Sequence, residues 1–344
     1  MSAEQLDLVL LGCSVVLLAA VAAVRLSAST PLPSLLLYLA LGLAIGEGGL
    51  GLQFEDAQLT GALGYAALVL ILAEGGLTTK WATIRPALGP AVALAVLGTA
   101  VSVVITGTAV HLLFRADWQF ALLIGAILAP TDAAAVFSIL RRLPLPPRLT
   151  GMLEAESGLN DAPSVIIVVA LTAQLTHGGE GHHWWGLAGE ALLELAIGTV
   201  VGLAVGWLGA LGLRRVALPA SGLYPISVLA LSVGAYGAAA AAHGSGFLGT
   251  YLAALVLGNI RLPYGAAVRS FAEGFGWMAQ IGLFVLLGLL ASPSRLVDNL
   301  IPAIGIGLVL VLLARPLSVL ASVGWFGVPL REQALLSWAG LRGA

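Results

Sequence analysis

Three carboxylates fall within the nine residues LEAESGLND, Leu153–Asp161, and the run that follows, APSVIIVVALTAQL, carries none. Ionisable groups in such apolar surroundings are costly, and where they occur they mark ion or proton pathways or paired charges. At helical spacing, Glu154, Ser157 and Asp161 share one face, whereas Glu156 and Asn160 share another. A fourth acid, Asp132, lies upstream in ILAPTDAAAVF, just after Pro130. Proline removes an intrahelical hydrogen bond, and freed carbonyls at membrane depth are tolerated only where they are buried in protein or line a cavity. The carbonyls of Ala129–Thr131 are therefore available to a cation beside Asp132. Carboxylates, a hydroxyl and free carbonyls form an all-oxygen donor set that can hold a small cation and can also titrate.

These residues must be positioned by membrane helices. The chain of 344 residues is 59% hydrophobic and 9% charged, with mean hydropathy +1.03, far from the ~25% charge of soluble domains. Apolar windows of about 17–25 residues mark spans. They lie at Leu6–Val24, Ser34–Leu52, Thr60–Leu77, Pro86–Phe114, Trp118–Leu140, Leu149–Leu175, Leu187–Leu213, Gly222–Ala242, Phe247–Ile260, Phe271–Leu290 and Leu300–Val323. A partial twelfth begins near Ala334. The expected architecture is thus an all-α polytopic membrane protein with about eleven complete spans. MSAEQLDLVL lacks the basic leader of a cleaved signal peptide, so the first span is read as retained.

Eleven Lys and Arg residues fall in one set of alternating loops, and only Arg115 and Arg295 fall in the other. The basic side is expected to be cytoplasmic and the N-terminus outside, which also places the loop THGGEGHHWW outside. In that frame Asp161 lies roughly 18–20 Å into span six and Asp132 roughly 14 Å into the antiparallel span five, similar depths in a ~30 Å core. The two remaining basic residues, Arg315 and Arg342, sit inside apolar sequence. Glu156, turned away from the Asp161 face, is expected to pair with Arg315, because a buried pair cancels charge and fixes packing. Glu74, in LAEGGLTTK, fits either a packing role or the wall of a cytoplasmic funnel.

Several function classes are excluded. Net charge is −2 and no basic patch exists, so no nucleic acid is expected as a partner; the lone Cys13 gives neither a disulfide framework nor a zinc site. Ser157 and His243 superficially form a Ser–His pair, but they belong at different depths. A channel needs filter-like rings of carbonyls or charges, and no such repeat is present. Secondary transport, with broken helices at the midplane, suits the pattern better. It needs no cofactor.

TDAAAVFSIL at Thr131–Leu140 and LEAESGLND at Leu153–Asp161 resemble the monovalent cation:proton antiporter-1 family, as do AEGGL, GSGFLGTYLAALVLGN, MAQIGLFVLLGLLASPSRL, LLARPLSVL and SWAGLRGA. TDAAAVF, ESG and AQIGLF–LLGLL are most similar to its potassium/proton branch. The resemblance implies thirteen spans in two inverted repeats. A mobile core (about residues 86–175 and 300–344) would work against a dimerising panel (about 1–77 and 187–290), all within one transmembrane domain. It further implies that a proton and a potassium or sodium ion compete for Asp161, with Asp132, Ser157 and the Thr131 carbonyl as ion ligands. Asn160 is the family marker for electroneutral exchange, and Glu156 would pair with Arg315. Arg342, with Glu154 and Glu74, is a secondary candidate. The chain stops at GLRGA, within the family's span-twelve motif, so it is expected to be a fragment. A non-transporting fragment, or less readily a cation channel, is the alternative.

Overall fold

In the computed structural model, the described residues are 3–29, 34–51, 56–131, 146–177, 184–293 and 299–340. They are helical, with no β-sheet among them. Among the described residues, eight helices are long and apolar enough to cross a membrane, and three shorter apolar ones lie between them.

The helices follow the apolar windows. In chain order they are α1 (Ala3–Ser29), α2 (Ser34–Ile45), α3 (Ala57–Thr78), α4 (Trp81–Phe114), α5 (Trp118–Ile127) and α6 (Pro147–His177). Next come α7 (Trp184–Arg215), α8 (Leu223–Ala241), α9 (Gly246–Asn259), α10 (Gly265–Leu290), α11 (Leu300–Phe326) and α12 (Leu330–Ala339). The sequence pattern places span two over Ser34–Leu52, but α2 ends at Ile45, where Gly46 and Gly49–Gly51 form turns instead. The pattern starts the twelfth span near Ala334, whereas α12 begins at Leu330. The extended backbone of Pro329, which cannot donate to a preceding turn, sets that helix start.

The chain divides into two compact units. One comprises Met1–Ile71 and Gly274–Ile301. Within it α2 and α10 touch at Gly42 and Gly288, where an added Cβ would overlap the facing backbone. The second comprises Leu72–Glu273 and Pro302–Gly343 and holds all the site residues discussed below. In it α7 lays Gly198, Gly202 and Gly206 against the backbone of Ser245, Gly249 and Ala253, in and just before α9. Small residues at four-residue spacing let membrane helices approach this closely, and dispersion contacts then replace the hydrophobic drive that lipid cannot supply. Two long helices of this unit, α4 and α11, each contain a π-helical turn, at Leu94–Gly98 and Leu310–Ala314. Such turns misalign the backbone ladder locally and recur at functional sites. Here the first packs near Ser322 of α11 through Gly98, and the second ends at Arg315.

Candidate ion site

Helix α6 carries the acid-rich motif. It starts at Pro147, a residue suited to a first turn because its missing N–H has no intrahelical partner there. It stays helical through the whole motif and through Pro163. Pro163 cannot donate to the carbonyl of Leu159, so α6 has a weakened turn beside Asp161. The residues of the motif divide by burial. Glu156 and Asn160 are 2% and 1% exposed, while Glu154, Ser157 and Asp161 are half-buried.

The buried face is tied to other segments of the chain. Arg315 Nη1 donates to Glu156 Oε1 at 2.5 Å and Nη2 to Oε2 at 2.9 Å, a bidentate fork. Nη2 also donates to the Leu336 carbonyl at 3.2 Å. That carbonyl belongs to the last turn of α12, where the helix dipole favours a cation. Three helices, α6, α11 and α12, thus meet at one guanidinium. Gly340, just past α12, allows this: a Cβ there would overlap the guanidinium itself.

One turn further along the same face, Asn160 Nδ2 donates to Thr131 Oγ1 at 2.6 Å, with the Thr131 carbonyl at 3.4 Å. Helix α5 ends at Ile127, and the chain leaves helical geometry before Pro130. Thr131 is therefore presented to α6 by non-helical backbone and held there by Asn160. Asn160 Oδ1 is buried with no hydrogen-bond partner among the described residues.

On the other face, Asp161 and Ser157 each take part in a polar interaction, and both remain half-buried. Between Glu154 and Asp161 lies Gly158, where a Cβ would strike the ring of Tyr251 from α9. Tyr251 is 2% exposed, and its hydroxyl completes no hydrogen bond among the described residues despite the approach of Thr79. Glu74 accepts from Thr78 Oγ1 at the long distance of 3.4 Å, and its carboxylate lies within electrostatic range of Glu273. Asp132, Arg342 and residues 178–183 of the histidine loop lie outside the described residues.

The structure thus brings Thr131 to Asn160 and Arg315 to Glu156, and it keeps Glu154, Ser157 and Asp161 on one partly accessible face. Gly340, Gly158, Tyr251 and Pro163 escape sequence reasoning. Glycine and proline are abundant in the chain, and nothing local separates these positions from the rest. A multi-spanning helical bundle in which non-helical backbone at Thr131 meets an acid-bearing helix suits a secondary transporter.

A profile of the family described as "Sodium/hydrogen exchanger, transmembrane" matches residues 14–344. The chain belongs to this family. It is 38% identical over 344 residues to a K(+)/H(+) antiporter NhaP of Alkalimonas amylolytica, covering 99% of this chain and 59% of that protein. It is 37% identical over 321 residues to a K(+)/H(+) antiporter NhaP2 of Shewanella oneidensis, covering 93% of this chain and 56% of the relative. The chain thus spans less than two thirds of the length of these relatives. The structure of the sodium proton antiporter MjNhaP1 from Methanocaldococcus jannaschii at pH 8 superposes with a TM-score of 0.85 at 21% identity, covering 98% of this chain and 84% of that one. The inverted-repeat antiporter fold expected from the motifs is the fold observed.

Proposed function

We propose that the protein exchanges a monovalent cation, potassium or sodium, for a proton, and that the two compete for Asp161. The observation that carries this reading is the division of α6. Glu156 is neutralised by Arg315 at hydrogen-bonding distance, and Asn160 is committed to Thr131, while Asp161 stays on the half-buried face. A carboxylate so placed can shed water to bind a cation and can take a proton in its stead. Ser157 and the Thr131 carbonyl would add neutral oxygens, and Asp132 a second carboxylate. The relatives named for K(+)/H(+) antiport support potassium as one substrate of this chain.

The remaining proposals follow the same frame. The site sits in a core (about residues 86–175 and 300–344) that moves against a panel (about 1–77 and 187–290). The panel dimerises, which the open apolar face of α1 supports: Leu8 and Leu18 are 70% and 71% exposed. The protein lies in the plasma membrane, with the arginine-rich loops in the cytoplasm and the N-terminus outside. Light scattering of the purified protein should give twice the chain mass, and an N-terminal tag should react with impermeant label on intact cells. A single-chain mass or a protected tag would remove the corresponding proposal.

The decisive experiment is reconstitution into vesicles with a pH gradient. Potassium or sodium should collapse the gradient in a saturable, competitive manner, and Asp161→Asn should abolish the response. The amide cannot trade a proton for an ion. Exchange that persists in this variant would remove Asp161 from its central role, and conduction without coupling to protons would reassign the chain as a channel.

A further inference from the structure

We infer that the basic end of the α7–α10 helices carries a binding site for the phosphate of an anionic lipid headgroup. The site is a cavity of 360 Å³ at the turn between α9 and α10, lined by Arg261, Arg269 and the first-turn residues Gly265 and Ala266, with Leu257, Leu262 and Val268 among its apolar walls. No carboxylate among the described residues lines it. Neither guanidinium has an ion-pair or hydrogen-bond partner among the described residues, and this includes Glu273, one turn beyond Arg269 on the same helix. The opening turn of the 26-residue α10 adds backbone N–H groups with no intrahelical acceptor, at the positive end of its dipole.

The surroundings fit a lipid. Beneath the cavity, Leu257 and Val268 belong to the same apolar cluster as Leu213 and Tyr224. Leu213 directly precedes Arg214 and Arg215 at the end of α7, so two further guanidinium groups belong to the same end of the bundle. Tyr264 is 58% exposed at the turn, with its ring centroid 5.5 Å from that of Tyr224. Half-wet aromatic rings sit at headgroup level in membranes, and basic pockets between spans at the cytoplasmic surface hold phosphate headgroups. The positive-inside bias alone accounts for arginines at this end. It does not account for a cavity that two arginines share with no partner and no acid among the described residues. Arginine's fork suits a phosphate diester, while the apolar walls suit the glycerol and upper acyl carbons.

The test uses the purified chain in neutral detergent, titrated with phosphatidylglycerol, phosphatidylcholine or inorganic phosphate. Thermal unfolding and native mass spectrometry report binding, and neither requires transport activity. Phosphatidylglycerol should raise the unfolding midpoint and stay bound where phosphatidylcholine does not. The Arg261→Gln/Arg269→Gln pair should weaken that binding about tenfold or more. The pair Arg25→Gln/Arg331→Gln, neither of which lines the cavity, should leave it unchanged. Inorganic phosphate matching phosphatidylglycerol would keep the site but overturn the lipid as its occupant. Equal stabilisation by the two lipids, or an undiminished effect in the Arg261/Arg269 variant, would overturn the site itself.

Discussion

The two faces of α6 carry the same chemistry to opposite ends. Each presents a carboxylate and a polar neighbour within about two turns. On one face, Glu156 and Asn160 are nearly inaccessible, and each is bound to a group from another segment of the chain. On the other face, Glu154, Ser157 and Asp161 keep partial exposure. The competition proposed for Asp161 would need this asymmetry. A carboxylate locked to a guanidinium cannot exchange partners at useful rates, because each exchange strands a buried charge. A carboxylate that keeps access to water can. In the proposed exchange the locked face would serve the open one, by fixing the rotation of α6.

Breaking the locked face should give the largest effects. Arg315→Ala or Glu156→Ala leaves one buried charge unpaired, and each should destabilise the fold by about 3–5 kcal/mol. Folded yield in detergent should fall sharply. Glu156→Gln combined with Arg315→Met should recover part of that yield, because neither charge then remains. Normal yield in both single variants, with only ion affinity altered, would refute the structural reading of the pair. Gly340→Ala should come next. Its Cβ would displace the guanidinium from α12, an overpacking change of about 1–3 kcal/mol. The midpoint of thermal unfolding reads it, and an unchanged midpoint would mean that α12 moves aside without cost. Asn160→Ala should lose a little less, about 1–2 kcal/mol, since it removes one bond to Thr131 and strands that hydroxyl. The same variant should also raise the KM for the cation more than it lowers the maximal rate, because the Thr131 carbonyl is no longer held toward α6. A KM equal to that of the unmodified protein would separate Asn160 from the ion site.

Much of this contrast is legible in the sequence. Helical spacing alone puts Glu156 and Asn160 on one face and Asp161 on the other, because the period of an α-helix does not depend on its surroundings. Arg315 stands out as a partner for Glu156 because the chain holds only fifteen basic residues, and nearly all fall in loops. The structure joins the two. Other features are not legible. Asn160 reads from its motif as a member of the ion site, and its amide nitrogen is spent on Thr131; which way a side-chain amide turns is settled by its neighbours. Gly340 and Gly158 are two of 44 glycines, and their importance comes from a guanidinium and a tyrosine that arrive from distant segments. The shortness of α2 is hidden because the glycine-rich turns at Gly46–Gly51 are nearly as apolar as the helix they end.

The smallest expected effect is that of voltage, which should be nil. If one cation replaces one proton at Asp161, the site carries the same charge in both half-cycles, provided that no other group at the site titrates. Asn160 cannot titrate, and Glu156 is committed to Arg315 through two hydrogen bonds. Asp132 must then stay charged throughout. Movement of the loaded core therefore transfers no net charge, and an imposed membrane potential, which would act with about 2.3 kcal/mol per charge per 100 mV, has nothing to act on. Exchange in vesicles should run at one rate with the potential clamped at zero or at either sign. A rate that climbs with voltage would require a second titrating carboxylate on the open face, and Glu154, half-buried two turns from Asp161, would be the residue to neutralise first. Glu154→Gln should otherwise shift stability by no more than about 0.5 kcal/mol, so a voltage dependence that it abolished would be read without the confusion of a damaged fold.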